Sequence, residues 1–94
     1  MKVGILTIDL YFSQSSSLKQ KRFFLQQIKD KLRSKFNISI AEVDFQDKWQ
    51  RSILGISCIN NNERLINSIF DKIIDFLEEG KSGYEILNQQ IEII

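Results

Sequence analysis

Residues 2–12 alternate. Leu6, Ile8, Leu10 and Phe12 fall on one side, and Val3, Ile5, Thr7, Asp9 and Tyr11 on the other. A period of two held over that length specifies a strand with one strongly apolar face. Such a face is stable only when further strands extend the sheet and another layer covers it. The rest of the chain must supply both.

After a polar turn, Ser13 to Ser16, the period changes. Leu18, Leu25, Ile28, Leu32 and Phe36 form a helical stripe over residues 18–36, flanked by Phe24 and ended near Asn37. Residues 38–45 return to a strand pattern, Gln46 to Gln50 make a turn, and Arg51 to Asn60 form a third strand. The short connection makes these two strands an antiparallel hairpin. Asn60 then caps a second helix, with Glu63 at the box position. Its apolar face comprises Leu65, Ile66, Ile69, Phe70, Ile73, Ile74, Phe76 and Leu77, and Gly80 supplies a left-handed stop. Residues 83–94 are extended, with Leu87, Ile91 and Ile93 alternating.

The order β-α-β-β-α-β predicts an α+β, ferredoxin-like split βαβ fold: a single domain over 1–94, with a four-stranded antiparallel sheet and two helices on one face. Leu6, Ile8, Leu10, Val43, Leu54, Ile56, Leu87 and Ile91 are expected to face the helices. Val3, Ile5, Ile38, Ile40, Ile53 and Ile59 are expected on the open face. That is more apolar surface than a monomer ordinarily leaves in water, and it predicts a homodimer through this face. Coverage by sheet twist and the C-terminal segment is the alternative.

The absence of histidine and the single cysteine, Cys58, remove much chemistry. There is no imidazole base, no nucleophile–His pair, and too few Cys and His for a structural zinc site. No catalytic residue, metal or cofactor is expected, and Cys58 reads as a small core residue. Glu42 and Asp44, two apart on a strand, would share a face and could bind Mg²⁺ or act as acid and base; a partner such as Lys21 explains them equally well. The apolar runs are too short for a membrane span, no signal peptide is apparent, and one unpaired cysteine fits a reducing cytoplasm.

Ser17-Leu18-Lys19-Gln20-Lys21-Arg22 breaks a local rule. Ser17 can cap the first helix and Gln20 can complete a capping box. Yet Lys19, Lys21 and Arg22 crowd the positive end of the helix dipole, each disfavoured there by roughly 0.3–1 kcal/mol when exposed. Lys21 moreover falls on the apolar stripe, so its ammonium must snorkel or find a carboxylate. Net charge is only +1, but residues 1–51 carry ten Lys/Arg against five Asp/Glu, and residues 52–94 three against seven. One surface is therefore basic without the chain being basic overall.

The segments Val3-Gly4-Ile5-Leu6, Ser17 to Arg22, Phe36 to Asp44 and Asp47 to Gly55 resemble a bacterial family, the YlxP-like proteins or domain of unknown function five hundred and three. The resemblance covers most of residues 1–60. It implies a ferredoxin-like fold and no established activity. Such proteins are often encoded beside translation-initiation and ribosome-maturation genes, which implies RNA or the ribosome as a partner. This chain departs from the family in having Asp9 where members usually have Glu, and Phe23 where the residue is often polar.

The expected function is a non-enzymatic, RNA- or ribosome-associated module that contacts phosphate through its basic first helix. The expected anion-binding residues are Ser17, Lys19, Lys21, Arg22 and Arg33, with Phe23 placed to stack on a base. A solvated face with acidic neighbours is the plain alternative for the same charges. Recognition across the sheet is not expected, because the third strand has no aromatic residue. Around the central turn, Trp49 is expected to close the end of the core, with Asp47 capping the turn and pairing with Arg51. A second reading makes Asp47, Trp49 and Arg51 a recognition edge. The alternative function is a dimeric protein-interaction domain that binds no nucleic acid.

Overall fold

A computed structural model describes residues 1–80 and 83–94. Its elements are β1 (Lys2–Tyr11), α1 (Leu18–Lys35), β2 (Ser39–Asp44), β3 (Arg51–Asn60), α2 (Glu63–Glu79) and β4 (Glu85–Ile93). The strands form one antiparallel sheet in the order β2-β3-β1-β4. This is the split βαβ arrangement anticipated from the periodicity.

The alternation of β1 is realised in full: Leu6, Ile8, Leu10 and Phe12 have no exposed surface. They meet Leu54, Ile56 and Cys58 of β3, then Leu25, Ile28 and Leu32 of α1 and Ile66, Phe70, Ile73 and Leu77 of α2. Burial pushes the Cys58 thiol above its ordinary pKa, in keeping with an inert core residue. At Gly4 the backbone of β1 lies directly under Ile66 and Phe70, where a side chain would overlap them.

Several expected positions differ. Ile40 pairs with Ile56 on the covered face and is buried, and Ile38 packs against the core. With Ile40 and Glu42 on the covered face, alternation turns Val43 to the open face, where it is exposed over Gly55, and the register slips after Glu42. A second slip, at Asp9/Leu10, leaves Leu87 unpaired and outside the core. Ile86 and Ile93 pack against the core on this edge strand, while Ile91 is substantially exposed. Leu65 is likewise exposed, beyond the buried stripe of α2. Asn62, not Asn60, caps α2, accepting from the Arg64 N–H at 2.9 Å; Asn60 instead accepts from the Asn62 N–H. Gly80 ends α2 with a negative φ, so the expected left-handed stop is absent there.

Candidate functional site

The first turn of α1, the turn after β1 and the β2–β3 hairpin meet at one end of the molecule. Gln50 Nε2 donates to the carbonyls of Ser13 and Ser15, both at 3.2 Å, and the Phe12 N–H donates to Gln50 O. These bonds tie the hairpin to the segment that leads into the helix.

Lys21 completes the join, and its burial corrects the expectation that it contacts phosphate. Its side chain is wholly buried on the stripe it shares with Leu25, Ile28 and Leu32. A buried ammonium must be matched in charge and in hydrogen bonding. Nζ lies 2.9 Å from Glu42 Oε2 and donates to the carbonyls of Phe45 (2.7 Å) and Arg51 (3.1 Å). Glu42 supplies the opposite charge, and the carbonyls of Phe45, Arg51 and, at 3.5 Å, Gln46 take the ammonium's hydrogen bonds. Phe45 adopts φ 62°, a left-handed conformation uncommon outside glycine. Its carbonyl is nevertheless held by the ammonium. Lys21 is thus an internal clamp between helix and hairpin.

The two carboxylates of β2 do not form a pair. Glu42 lies opposite Leu54 on the covered face and serves Lys21; Asp44 lies opposite Ile53 beyond the register slip. Asp44 Oδ1 accepts from the Phe45 N–H. No cluster of three or more metal-ligating side chains occurs among the described residues.

Arg51 pairs with Asp9, not Asp47. Its Nη2 donates to both Asp9 oxygens at 2.8 and 2.9 Å, and its guanidinium lies over the Phe45 ring at 4.9 Å. Directly opposed residues on the open face of β1 and β3, Tyr11 and Arg51, bring this pair together one step from Asp9. Trp49 does not close the core: it is 56% exposed at the hairpin tip, and Asp47 beside it is exposed.

The cap of α1 is close to expectation. Ser17 Oγ accepts from the Gln20 N–H at 3.1 Å, but Gln20 Oε1 reaches one residue further back, accepting from the Ser16 N–H at 2.7 Å. The Ser16 hydroxyl bonds the same oxygen. No acidic residue occupies this first turn.

The remaining cations are arranged differently from Lys21. Helix α1 carries seven Lys/Arg and one carboxylate, Asp30, whereas α2 carries two against five. Asp30 accepts from Gln26. The ion pairs among the described residues are Lys2–Glu63, Lys21–Glu42 and Arg51–Asp9, so none engages Lys19, Arg22, Lys29 or Lys31. Lys19 and Arg22 are exposed one turn apart, and Lys29 and Arg33 continue the same side at helical spacing. Arg33 commits one N–H to Ile40 O at 3.0 Å. Lys35 lies over the Phe76 ring instead.

Phe23 lies at the edge of this cationic side, next to Lys19 at helical spacing, and is 61% exposed. It is also supported from beneath. Its ring meets Phe24 edge-on at 6.2 Å, and Phe24 stacks on the fully buried Phe12 at 6.0 Å. Of the expected site, Ser17, Lys19, Arg22 and Phe23 gather at the start of α1. Arg33 lies further along the helix, Lys21 is internal, and Arg51 is held by Asp9.

Comparison with known proteins gives a family and a fold. A family model described as "Protein of unknown function (DUF503)" matches residues 3–91. The chain is 29% identical over 76 residues to the uncharacterised protein YlxP of Bacillus subtilis (strain 168), covering 81% of this chain and 83% of that one. Among solved structures, it is similar to a de novo designed protein with a ferredoxin fold, with TM-score 0.54, 15% identity, and coverage of 100% and 83% of the two chains. It is also similar to a dimeric ferredoxin-like protein from an uncultured marine organism, with TM-score 0.53, 10% identity, and coverage of 100% and 96%.

Proposed function

The chain belongs to the DUF503 family, a membership that assigns no activity, and from its own surface we propose that it is a non-enzymatic RNA- or ribosome-associated module. The carrying observation is the side of α1 on which Lys19, Arg22 and Lys29 stand without an internal carboxylate, while Lys21 beside them has one. Self-repulsion within the turn and the unfavourable helix dipole are both relieved by a polyanion. Phosphate binding releases condensed counterions, which makes the affinity salt-dependent. With about three to four phosphates neutralised, raising salt from 50 to 200 mM is expected to weaken binding by roughly 20- to 150-fold. Fluorescence anisotropy with a labelled structured RNA measures this. Affinity insensitive to salt, or no binding at 50 mM, would contradict the reading.

A second reading is favoured by a different surface. On the open sheet face Val3 lies opposite Ile59, which is 64% exposed, and Val43 is 55% exposed nearby on β2. A second copy of the chain would cover this apolar area. Light scattering at micromolar concentration is expected to give about twice the 11.0 kDa chain mass if this face is the interface. A monomer mass would remove the dimer and leave α1 unaffected.

A further inference from the structure

Resting on the phosphate-contact reading of α1, we infer that the start of this helix takes an unpaired base together with its adjoining phosphate, so that the ligand is single-stranded nucleic acid rather than duplex. The observation is the combination of an exposed ring, a cation one turn before it and a fixed apolar wall. Lys19, Gln20, Phe23 and Phe24 line a shallow pocket whose surface is almost wholly apolar. The exposed Phe23 ring shares this pocket with Lys19, one helical turn before it, and so offers a stacking face beside a positive charge; Arg22 stands exposed further round the helix. The bases of a duplex are stacked on one another and their faces are inaccessible; those of a single strand are free to stack on protein.

Two features make this a prepared surface. Phe23 is the outer end of a chain of rings, Phe23–Phe24–Phe12, that reaches the core, so its position is set by packing. Such a ring loses little freedom on binding. Gln20 is oriented as well. The Ser16 N–H can only donate, so the amide atom facing it is Oε1. The cap thereby holds the Gln20 side chain in place, so the wall it contributes to the pocket is fixed. Lys19 at the pocket and the cationic side of α1 that adjoins it, Arg22 included, distinguish this occupant from an apolar peptide.

The test compares a labelled 12-nucleotide single strand, as RNA and as DNA, with a blunt duplex of the same sequence, by anisotropy at 50 mM salt. Phe23→Ala is expected to weaken single-strand binding by about tenfold or more, within the range of a lost base–aromatic stack, and to leave duplex binding unchanged. Phe23→Tyr should restore it. Because Phe23 is mostly exposed, Phe23→Ala should keep the wild-type circular dichroism and melting profile. Equal affinity for single strand and duplex, with Phe23→Ala indistinguishable from wild type, would overturn base stacking and leave phosphate contact standing. Binding to neither nucleic acid, or only to vesicles of anionic lipid, would overturn both. A preference for the RNA strand over DNA supports the inference and adds contact with the 2′-hydroxyl.

Discussion

Replacing Lys21 by methionine is expected to destabilise the domain by about 3–5 kcal/mol, the range for removing one partner of a buried ion pair. Methionine approximates the apolar length of lysine, so the loss measures the ammonium and not the packing. Its partners are left behind, the most distant of them Gln46 O at 3.5 Å. Glu42 keeps a largely buried negative charge with no cation near it, and the carbonyls of Phe45 and Arg51 lose their donor. In a domain of this size about 1 kcal/mol corresponds to 4–8 °C in Tm, so a fall of about 12 °C or more is expected. Substituting Glu42 as well, in Lys21→Met/Glu42→Met, should recover part of the loss, because two neutral side chains leave no uncompensated charge. Thermal and urea unfolding of wild type, Lys21→Met, Glu42→Met and the double variant complete the cycle that measures the non-additivity. A Lys21→Met domain within about 1 kcal/mol of wild type would contradict the clamp.

Gly4→Ala is expected to cost about 1–3 kcal/mol through overpacking. A Cβ at Gly4 would overlap Ile66 Cγ2 and lie 2.8 and 2.9 Å from ring atoms of Phe70. Both residues are fully buried and belong to the helix that covers the sheet, so neither can turn aside without moving α2. Gly55→Ala is the informative comparison. Its Cβ would approach Val43 Cγ1 at 2.9 Å, but Val43 is exposed on an edge strand and free to rotate. The second substitution should therefore cost well under 1 kcal/mol, and comparable urea midpoints for the two variants would contradict this account of Gly4.

The parts of the fold that depend on local periodicity were legible in the chain itself. The burial of Leu6, Ile8, Leu10 and Phe12 follows from a period of two, and that of Leu25, Ile28 and Leu32 from a helical one. What escaped was register. The phase of β2 puts Ile40 and Glu42 inward and Val43 outward, a slip after Glu42 separates Asp44 from Glu42, and a slip in β4 displaces Leu87. Nothing local announces either slip, because a bulge is fixed by the partner strand. The same limit applies to Asp9 and Arg51, brought together only by the pairing of β1 with β3.

The candidate site shows a related division. Lys21 was marked as an anomaly by its place on an apolar stripe, and Glu42 and Asp44 could both be named as partners for it; the structure selects Glu42. The carbonyl partners of Lys21 could not be named, since they depend on the left-handed Phe45, a residue whose type gives no hint of positive φ. Trp49 is the converse case. A large apolar ring near a turn suggests a plug for the core, but a hairpin tip pinned by Gln50 and Lys21 leaves it in solvent. The cations of one helical turn therefore divide into a buried lysine that builds the end of the molecule and exposed neighbours whose charge is directed outward.

The most direct measurement of that division is the salt dependence of RNA affinity in Lys19→Ala/Arg22→Ala, compared with wild type by anisotropy between 50 and 200 mM salt. Both residues are exposed, outside the ion pairs among the described residues and opposed to the helix dipole, so the double variant should stay folded and melt at or somewhat above the wild-type temperature. Its plot of log affinity against log salt is predicted to be shallower by about two, one for each phosphate contact removed. A slope identical to that of wild type would contradict the assignment of this helix to phosphate.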